Sequence, residues 1–595
     1  MNRLLARSLP VVALLLVRGA TAADPVPLVT DRVPPVRTEA RNDGKAPVLF
    51  ADFGKDAYGT LEIVLPWEPP AGSLTVRLGE KLDSSGAIDR KPPGSVSFRE
   101  VALVTKPGER TYRLQIPRKP RHNDRRAIGV RPDVGEIAPF RYAEIAGEGI
   151  DPAKTALTQL AVHAPFDEGL SAFSSSDSKL DAVWDLCKHT MKASSAFGVF
   201  IDGERERIPY EADAYINQLS FAACDPDPRL IRATFDRLMA YPTWPTEWLL
   251  HMPMIAWSDY MATGDPAIAA KQFDVLKKRF LALKTTPDGL LVAGAIVDWP
   301  QRERDGYNGG VADPGRGQQV GPVVNTVANA FYCHALDRMG RLASALGRKE
   351  DAADFDARAK KAGESFNRVF LDPKTGLYTD GEGSTHSSLH ANMFPLAFGL
   401  VPKDRIAKVA DFVKSRGMAC SVYGAQYLLE ALMAAGLDAD AVSLMTSQGP
   451  RSWHHMMDAG STMTWEAWDP SVKPNLTWNH AWGAAPANII SRYVLGIRPM
   501  EPGYAKILIA PQPGGLAWVR GKVPTVRGPV EEKVTNGEVF RVEVSLPEGT
   551  GGEAVLPRRG RGELVLDGKT VGSPSGVGKT VRVAIAGGKH VLESR

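Results

Sequence analysis

Cysteine is scarce in this chain: four in 595 residues, at Cys187, Cys224, Cys333 and Cys420, with no Cys-x-x-Cys and no paired Cys/His spacing. Such spacings exclude a zinc ribbon and a disulfide framework, and three of the four fall in helical apolar patterns, where a thiol acts as a small buried hydrophobe. An excess of one charge is also missing. The 72 basic and 68 acidic residues nearly cancel, to +4, and no long block of either sign occurs, so neither a nucleic-acid partner nor a membrane-surface role gains support. Beyond the N-terminus no apolar run approaches the roughly 20 residues of a membrane-spanning helix. A Gly-x-Ser-x-Gly elbow is absent, which removes the usual esterase signature. Gly576-Val577-Gly578-Lys579-Thr580 imitates a phosphate loop, but Ser573 stands where its first Gly belongs, so a hairpin turn is expected there. His454 and His455 are adjacent and point in different directions on a helix, and no contiguous acidic loop suits calcium. No metal and no cofactor are therefore expected.

What is present begins with Met1-Asn2-Arg3-Leu4-Leu5-Ala6-Arg7, an apolar run from Leu9 to Val17, and Ala20-Thr21-Ala22. A basic end, a short apolar core and an Ala-x-Ala site predict a signal peptide over residues 1–22, cut after Ala22, and hence a secreted or periplasmic protein without a membrane anchor. A chain of this length exceeds one hydrophobic core. From 45 to 172 the apolar residues alternate, as in Leu61, Ile63, Leu65 and Leu74, Val76, Leu78, between Pro/Gly-rich breaks, which predicts an N-terminal β-sandwich. Near Ser176 the period becomes helical, with a capping-box pattern at Ser178 and Asp181. Roughly a dozen helical stretches follow over 175–497, among them 211–224, 227–240, 321–347, 349–370, 420–436 and 479–494. Successive hairpins without a fixed repeat predict a closed (α/α)6 barrel rather than a solenoid. Period two returns over 500–595, a smaller C-terminal β-sandwich.

Two tracts combine carboxylates with aromatic and basic residues. The first is Asp202-Gly203-Glu204-Arg205-Glu206-Arg207 with Tyr210 and Asp213; the second runs from Gly460 to Asp469 and contains Thr464, Trp465, Glu466 and Trp468. The plain alternative for the first is a solvated turn before a helix, yet Val199-Phe200-Ile201 lead into it from an apolar segment. Five of the twelve tryptophans fall between Trp453 and Trp482, a density that core packing alone does not account for in a Gly/Pro-interrupted stretch. Sugar-cleaving sites need this mixture, because one carboxyl must be protonated while another is ionised, and ring faces must hold a pyranose. Two further groups, Asp298-Trp299 with Asp305 and Tyr307, and Trp244, Glu247 and Trp248, could be surface turns or sugar contacts.

In this order the tracts resemble the bacterial α-L-rhamnosidases, the six-hairpin glycosidases of glycoside hydrolase family 78. The family's Thr-x-Trp-Glu-x-Trp-Asp string is matched by Thr464 to Asp469, with Asn479-His480 farther on. Its acid motif, Asp-Cys-Pro-Gln-Arg-Glu followed by Gly-Trp and Gly-Asp, is matched by Asp202, Arg205, Glu206, Tyr210 and Asp213, one residue shorter. The resemblance implies an (α/α)6 barrel between β-sandwiches and exo-hydrolysis of terminal α-L-rhamnosides with inversion. It implies Glu206 as general acid and Glu466 as general base, with Asp202, Arg205, Asp213, Asp298, Trp299, Trp465, Trp468 and His480 binding a rhamnose-terminated glycan or glycoside. Glu204 competes with Glu206 for the acid's place; aligning backwards from Asp213 favours Glu206. Two other readings stay open: a lyase on rhamnose joined to glucuronic acid, and a carbohydrate-binding protein without turnover.

Overall fold

The computed structural model describes residues 25–42, 46–67, 72–147, 150–313, 318–320, 324–560, 562–572 and 579–595. The expected signal peptide lies outside the described residues, as does most of the turn expected at 576–580.

Strands come first, beginning at Val29, earlier than the alternation at 45 predicts, because the segment Val29–Val33 pairs antiparallel with Ala156–His163. Eight strands form this sheet. Its organiser is the long strand Pro47–Val64, which pairs with Arg37–Asn42, Thr111–Arg113, Ala138–Ala146 and Ala156–His163 along its length. A register shift between Asp52 and Ala57 lets its halves serve different partners. Leu61, Ile63, Val76, Leu78 and Ile145 fill the core beneath it.

The helical region then runs α1 (Ser178–Ala193), α2 (Glu211–Ala222), α3 (Arg229–Ala240), α4 (His251–Thr263), α5 (Ala267–Leu281), α6 (Thr326–Ala345), α7 (Lys349–Phe370), α8 (Leu389–Ala397), α9 (Ile406–Ser415), α10 (Val422–Ala434), α11 (Asp438–Met445), α12 (Trp453–Asp458) and α13 (Ala485–Ile489). Helices α2, α4, α6, α8, α10 and α13 each pack on the next, and α13 returns to α2, so they close a ring. The sequences explain which helices lie inside. Every residue of α10 from Val422 to Met433 is buried, and ten of the twelve in α2 are; α10, apolar or small except at Gln426 and Glu430, must be covered all round, whereas α2 also buries Glu211, Asp213, Asn217 and Gln218. By contrast α7 buries only Ala352, Phe355, Ala362, Ser365, Phe366 and Phe370, a single stripe at helical spacing, and turns its charges outward.

Three local expectations are corrected. The cap of α1 is Asp177, whose side chain accepts from the Lys179 amide, while Asp181 accepts from Ser175 instead of closing a capping box with Ser178. The stretch 479–494 is not one helix but a 3-10 turn Ala481–Ala484, the short α13, and a π turn Ile490–Val494. Pro486 in the first turn of α13 lacks an N–H, so no continuous ladder can run through it. The segment Ala172–Ser175, at the expected boundary between the N-terminal and helical regions, pairs instead with Trp518–Val523 in the C-terminal sheet. That nine-stranded sheet meets the helical ring closely. At the contact a Cβ on Gly264, φ 75°, would lie 3.2 Å from the Gly503 Cα, so the approach depends on glycine. All four cysteines are buried and free.

Candidate functional site

The chain before α2 folds into a tight loop. The Asp202 amide donates to the Ile208 carbonyl at 3.0 Å, the Ile208 amide to Asp202 Oδ1 at 3.0 Å, and the Arg207 amide to the Gly203 carbonyl. Arg207 takes a positive φ of 57° within it. It is held there by burial against Phe197 and by Glu204 at 2.8 Å and Glu136 at 2.7 Å. Glu204 points the same way, into Arg207, Arg99 at 2.9 Å and Lys119 at 3.4 Å. Burial alone would raise its pKa, but this ring of cations overcomes burial and holds the Glu204 carboxyl below its usual range. Glu204 is thus a buried structural ion, and the turn closed by the Arg207 amide on the Gly203 carbonyl sends Arg205 and Glu206 the other way.

Those two face the segment 464–482. Arg205 grips Glu466 end-on, Nη2 to Oε1 at 2.9 Å and Nη1 to Oε2 at 3.2 Å, while its Nε lies 3.5 Å from Glu206 and its Nη2 3.7 Å from Asp202. Lys473 approaches Glu466 at 3.2 Å, and the Thr477 amide donates to it. Glu206 also accepts from the Tyr210 hydroxyl at 2.9 Å and pairs with Arg121. His480 lies 2.8 Å from Asp213, leaving Asp213 Oδ2 buried and unpartnered. Behind them Asn479 ties three parts of the molecule together. Its Oδ1 accepts from the Glu204 amide and the Tyr58 hydroxyl, both at 2.8 Å, and its Nδ2 donates to Glu80 at 2.7 Å. A Cβ at Gly203, φ 103°, would come within 3.0 Å of Asn479 Oδ1, so glycine is what lets the two loops approach.

These groups line a cavity of about 300 Å³, with Trp244, Trp248, Trp299 and Trp482 as its walls. It opens where the loops before α2, α4 and α13 gather, at the N-terminal ends of the inner helices. Its electrostatics are divided. Burial, then Glu206 and Glu466, push Asp202 well above the carboxylate range; burial also raises Asp213. Burial pulls the other way on Glu206, but Arg205, the Tyr210 hydroxyl and Arg121 win and hold it low. His480 is driven down to about 3, chiefly by burial, and is neutral. The cavity therefore keeps protonated and ionised carboxyls side by side, which acid–base chemistry at one pH requires.

Of the residues singled out from sequence, Asp202, Arg205, Glu206, Asp213, Trp299, Glu466 and His480 line this cavity. Asp298, Trp465 and Trp468 do not. Asp298 is fully buried and accepts from Ser421, His390 at 2.7 Å and the Trp299 amide at 2.8 Å, so it orients the loop behind Trp299 and has no face for a ligand. Trp465 stacks on Trp478 with centroids 4.8 Å apart, and Trp468 donates its indole N–H to the Cys420 carbonyl at 2.8 Å. Both rings flanking Glu466 are core. Glu247 is likewise internal, accepting from the Ile296 and Val297 amides. Trp244, left open in the sequence, stacks parallel to Tyr210 at 6.2 Å and forms a wall. Arg121, Asp124 and Arg126 had no signal, because they reach the rim from the N-terminal β region.

Acids around one guanidinium under a canopy of indole rings make a site of the glycosidase type. Residues 168–494, more than half the chain, match the bacterial alpha-L-rhamnosidase six-hairpin glycosidase domain, and residues 496–570 the bacterial alpha-L-rhamnosidase C-terminal domain. The chain belongs to the bacterial alpha-L-rhamnosidase six-hairpin glycosidase family. An alpha-L-rhamnosidase of Streptomyces avermitilis is 23% identical over 92% of this chain and 52% of its own length; one of Alteromonas is 25% identical over 51% and 34%. Among solved structures, the alpha-L-rhamnosidase of Dictyoglumus thermophilum superposes with a TM-score of 0.76 at 19% identity, covering 96% of this chain and 64% of that one. That of Streptomyces avermitilis in complex with L-rhamnose gives 0.76 at 18%, covering 96% and 54%. The chain thus spans about a third to a half of the length of the curated relatives named.

Proposed function

We propose that this protein is an exo-acting, inverting α-L-rhamnosidase, exported to the periplasm or beyond, whose ring of helices is an (α/α)6 barrel between two β-sandwiches. The observation that carries the reading is the placement of Glu206 and Glu466 on different edges of one guanidinium, Arg205, in a tryptophan-walled cavity. Carboxyls kept apart by an intervening cation suit the roughly 6.5–9.5 Å that inversion needs for a water, rather than the about 5–5.5 Å of a covalent mechanism. In the reaction Glu466 takes a proton from water as its oxygen attacks the anomeric carbon. Glu206 gives a proton to the leaving glycosidic oxygen, and β-L-rhamnose and the aglycone alcohol leave.

Glu206 must carry that proton, yet Arg205, the Tyr210 hydroxyl and Arg121 hold it low. The proton's store is Asp202, raised by burial beside it. Arg121 is the removable part of the restraint on Glu206: its side chain is half exposed, whereas Arg205 is buried. An aglycone at the rim displaces Arg121 and leaves Asp202 and Glu206 to share one proton. Asp213 Oδ2, buried and without a partner, is suited to a sugar hydroxyl, and a cavity of about 300 Å³ walled by indole rings suits a single terminal residue.

Proton NMR of the purified protein with an aryl α-L-rhamnoside tests the reading. β-L-rhamnose in the first minutes is expected. Initial α-L-rhamnose would refute inversion, a vinylic proton would make the enzyme a lyase, and no product from aryl or glycan substrates would remove the assignment.

A further inference from the structure

A second, larger cavity of about 460 Å³ lies at the opposite end of the ring, where the C-terminal halves of α2, α4 and α10 meet the C-terminal β region. Its size falls within the roughly 300–1,000 Å³ of ligand sites. One side is aromatic, with Tyr215, Trp257 and Phe398. The rest is charged: Arg338, Arg492 and Arg498 line it with three carboxylates, of which Asp259 is taken up by Arg232 at 2.9 Å, Asp225 accepts from the Asp227 amide, and Glu430 is met by Arg492. Arg492 is paired with Glu430 at 2.7 Å, and Arg338 with Asp337 at 3.3 Å and with His334. Arg498 makes no ion pair among the described residues. It rests over the Tyr493 ring at 4.8 Å, with its Nε buried and without an acceptor. Burial pushes the Arg498 guanidinium below its ordinary value, against the pull of Tyr493 and Glu430.

The same cavity holds two more unmet groups. Gln218 donates through Nε2 to the Ile255 carbonyl at 3.0 Å, but its Oε1 has no partner; nor does the Ser491 hydroxyl. Both residues are 2% exposed. Helix C-termini attract cations, which accounts for arginines at this end. It does not account for a cavity, nor for a buried acceptor and a buried hydroxyl left open beside an orphaned donor, each of which costs free energy unless something fills it.

We propose that this cavity is a second ligand site, taking a small hydroxylated carboxylate, a sugar acid, with its carboxylate on Arg498, its hydroxyls on Gln218 and Ser491, and its apolar face against Trp257 or Tyr215. The site is independent of the reaction assigned to the other end of the ring.

Isothermal titration of the whole protein with D-glucuronate, alone and with saturating L-rhamnose, tests this. Saturable binding that persists with rhamnose is expected, at least tenfold weaker for neutral D-glucose. It should weaken at least tenfold in Arg498→Gln and in Gln218→Glu, which sets a second negative charge against the carboxylate. Circular dichroism and turnover of an aryl rhamnoside report whether each variant folds. A crystal of the unaltered protein with glucuronate settles the location without any variant. No saturable binding, displacement by rhamnose, retention in folded forms of both variants, or density only in the tryptophan-walled cavity would each overturn the proposal.

Discussion

The two ends of the helical ring meet their charges differently. At the N-terminal ends of the inner helices Asp202, Glu206, Asp213 and Glu466 gather around Arg205, with Arg121, Asp124 and Arg126 at the rim; at the C-terminal ends Arg338, Arg492 and Arg498 line a cavity together with Asp225, Asp259 and Glu430. The difference teaches what a buried charge needs in order to be reactive. In the tryptophan-walled cavity Asp202 and Asp213 each keep a buried oxygen without a partner and are pushed up, while Glu206 is held low. A few residues away, Glu204 meets three cations and is held as an anion. Residue type does not separate them; the partners do.

The sharpest way to break the comparison is to neutralise the reactive acids. Glu466→Gln or Glu206→Gln is expected to lower turnover of an aryl α-L-rhamnoside by about 10²- to 10⁴-fold, the worth of the acid and base roles proposed for them; Glu466→Gln also takes the shared partner from buried Arg205 and Lys473 and should lower the melting temperature. Glu204→Gln should act on stability. It leaves the buried cations around it, Arg207 with only Glu136 and Arg99 without its partner, and costs about 3–5 kcal/mol in denaturant unfolding, typical of a buried ion pair with one partner removed.

A subtler test uses pH. His480 stays neutral in the folded protein down to about 3, whereas an unfolded histidine titrates near its ordinary value of about 6.5. Between those values the unfolded chain binds the extra proton, so stability falls as pH is lowered, by about 2 kcal/mol at pH 5 from this residue. Asp202 and Asp213, whose folded pKa values are raised, act in the opposite sense and favour the folded state at low pH. His480→Gln should therefore flatten the acid side of the stability profile; an unchanged profile would show that the ring is not buried as described. The smallest expected effect is that of Tyr210→Phe. It removes a hydrogen bond that holds Glu206 low, so the alkaline limb of the rate profile, where the acid loses its proton, should move to higher pH with little change at the optimum.

Much of this was readable in the chain. The change from period two to period 3.6 near Ser176 and back after Gly503 marks where α1 starts and the C-terminal sheet resumes, because period follows from backbone geometry alone. The carboxylate tracts were readable as well, since few uses other than chemistry explain that mixture. The tryptophans misled. Trp465 and Trp468 flank Glu466 in sequence yet point into the core, while Trp244, Trp248, Trp299 and Trp482, scattered over more than 200 residues, form the cavity wall. Adjacent side chains in an irregular segment diverge, and no period predicts which one meets solvent.

The sequence by itself determined the succession of β, helical and β regions and which acids were candidates, because apolar spacing and residue type are local properties. Only the tertiary structure decided that Glu204 is inert and Glu206 open, that Asp298 is a strut, and that Arg121 and Asn479 join the N-terminal β region to the loops of the site. Those outcomes depend on which charges converge from segments hundreds of residues apart and how much water is left between them, and in a low-dielectric interior that convergence sets the state of every ionisable group.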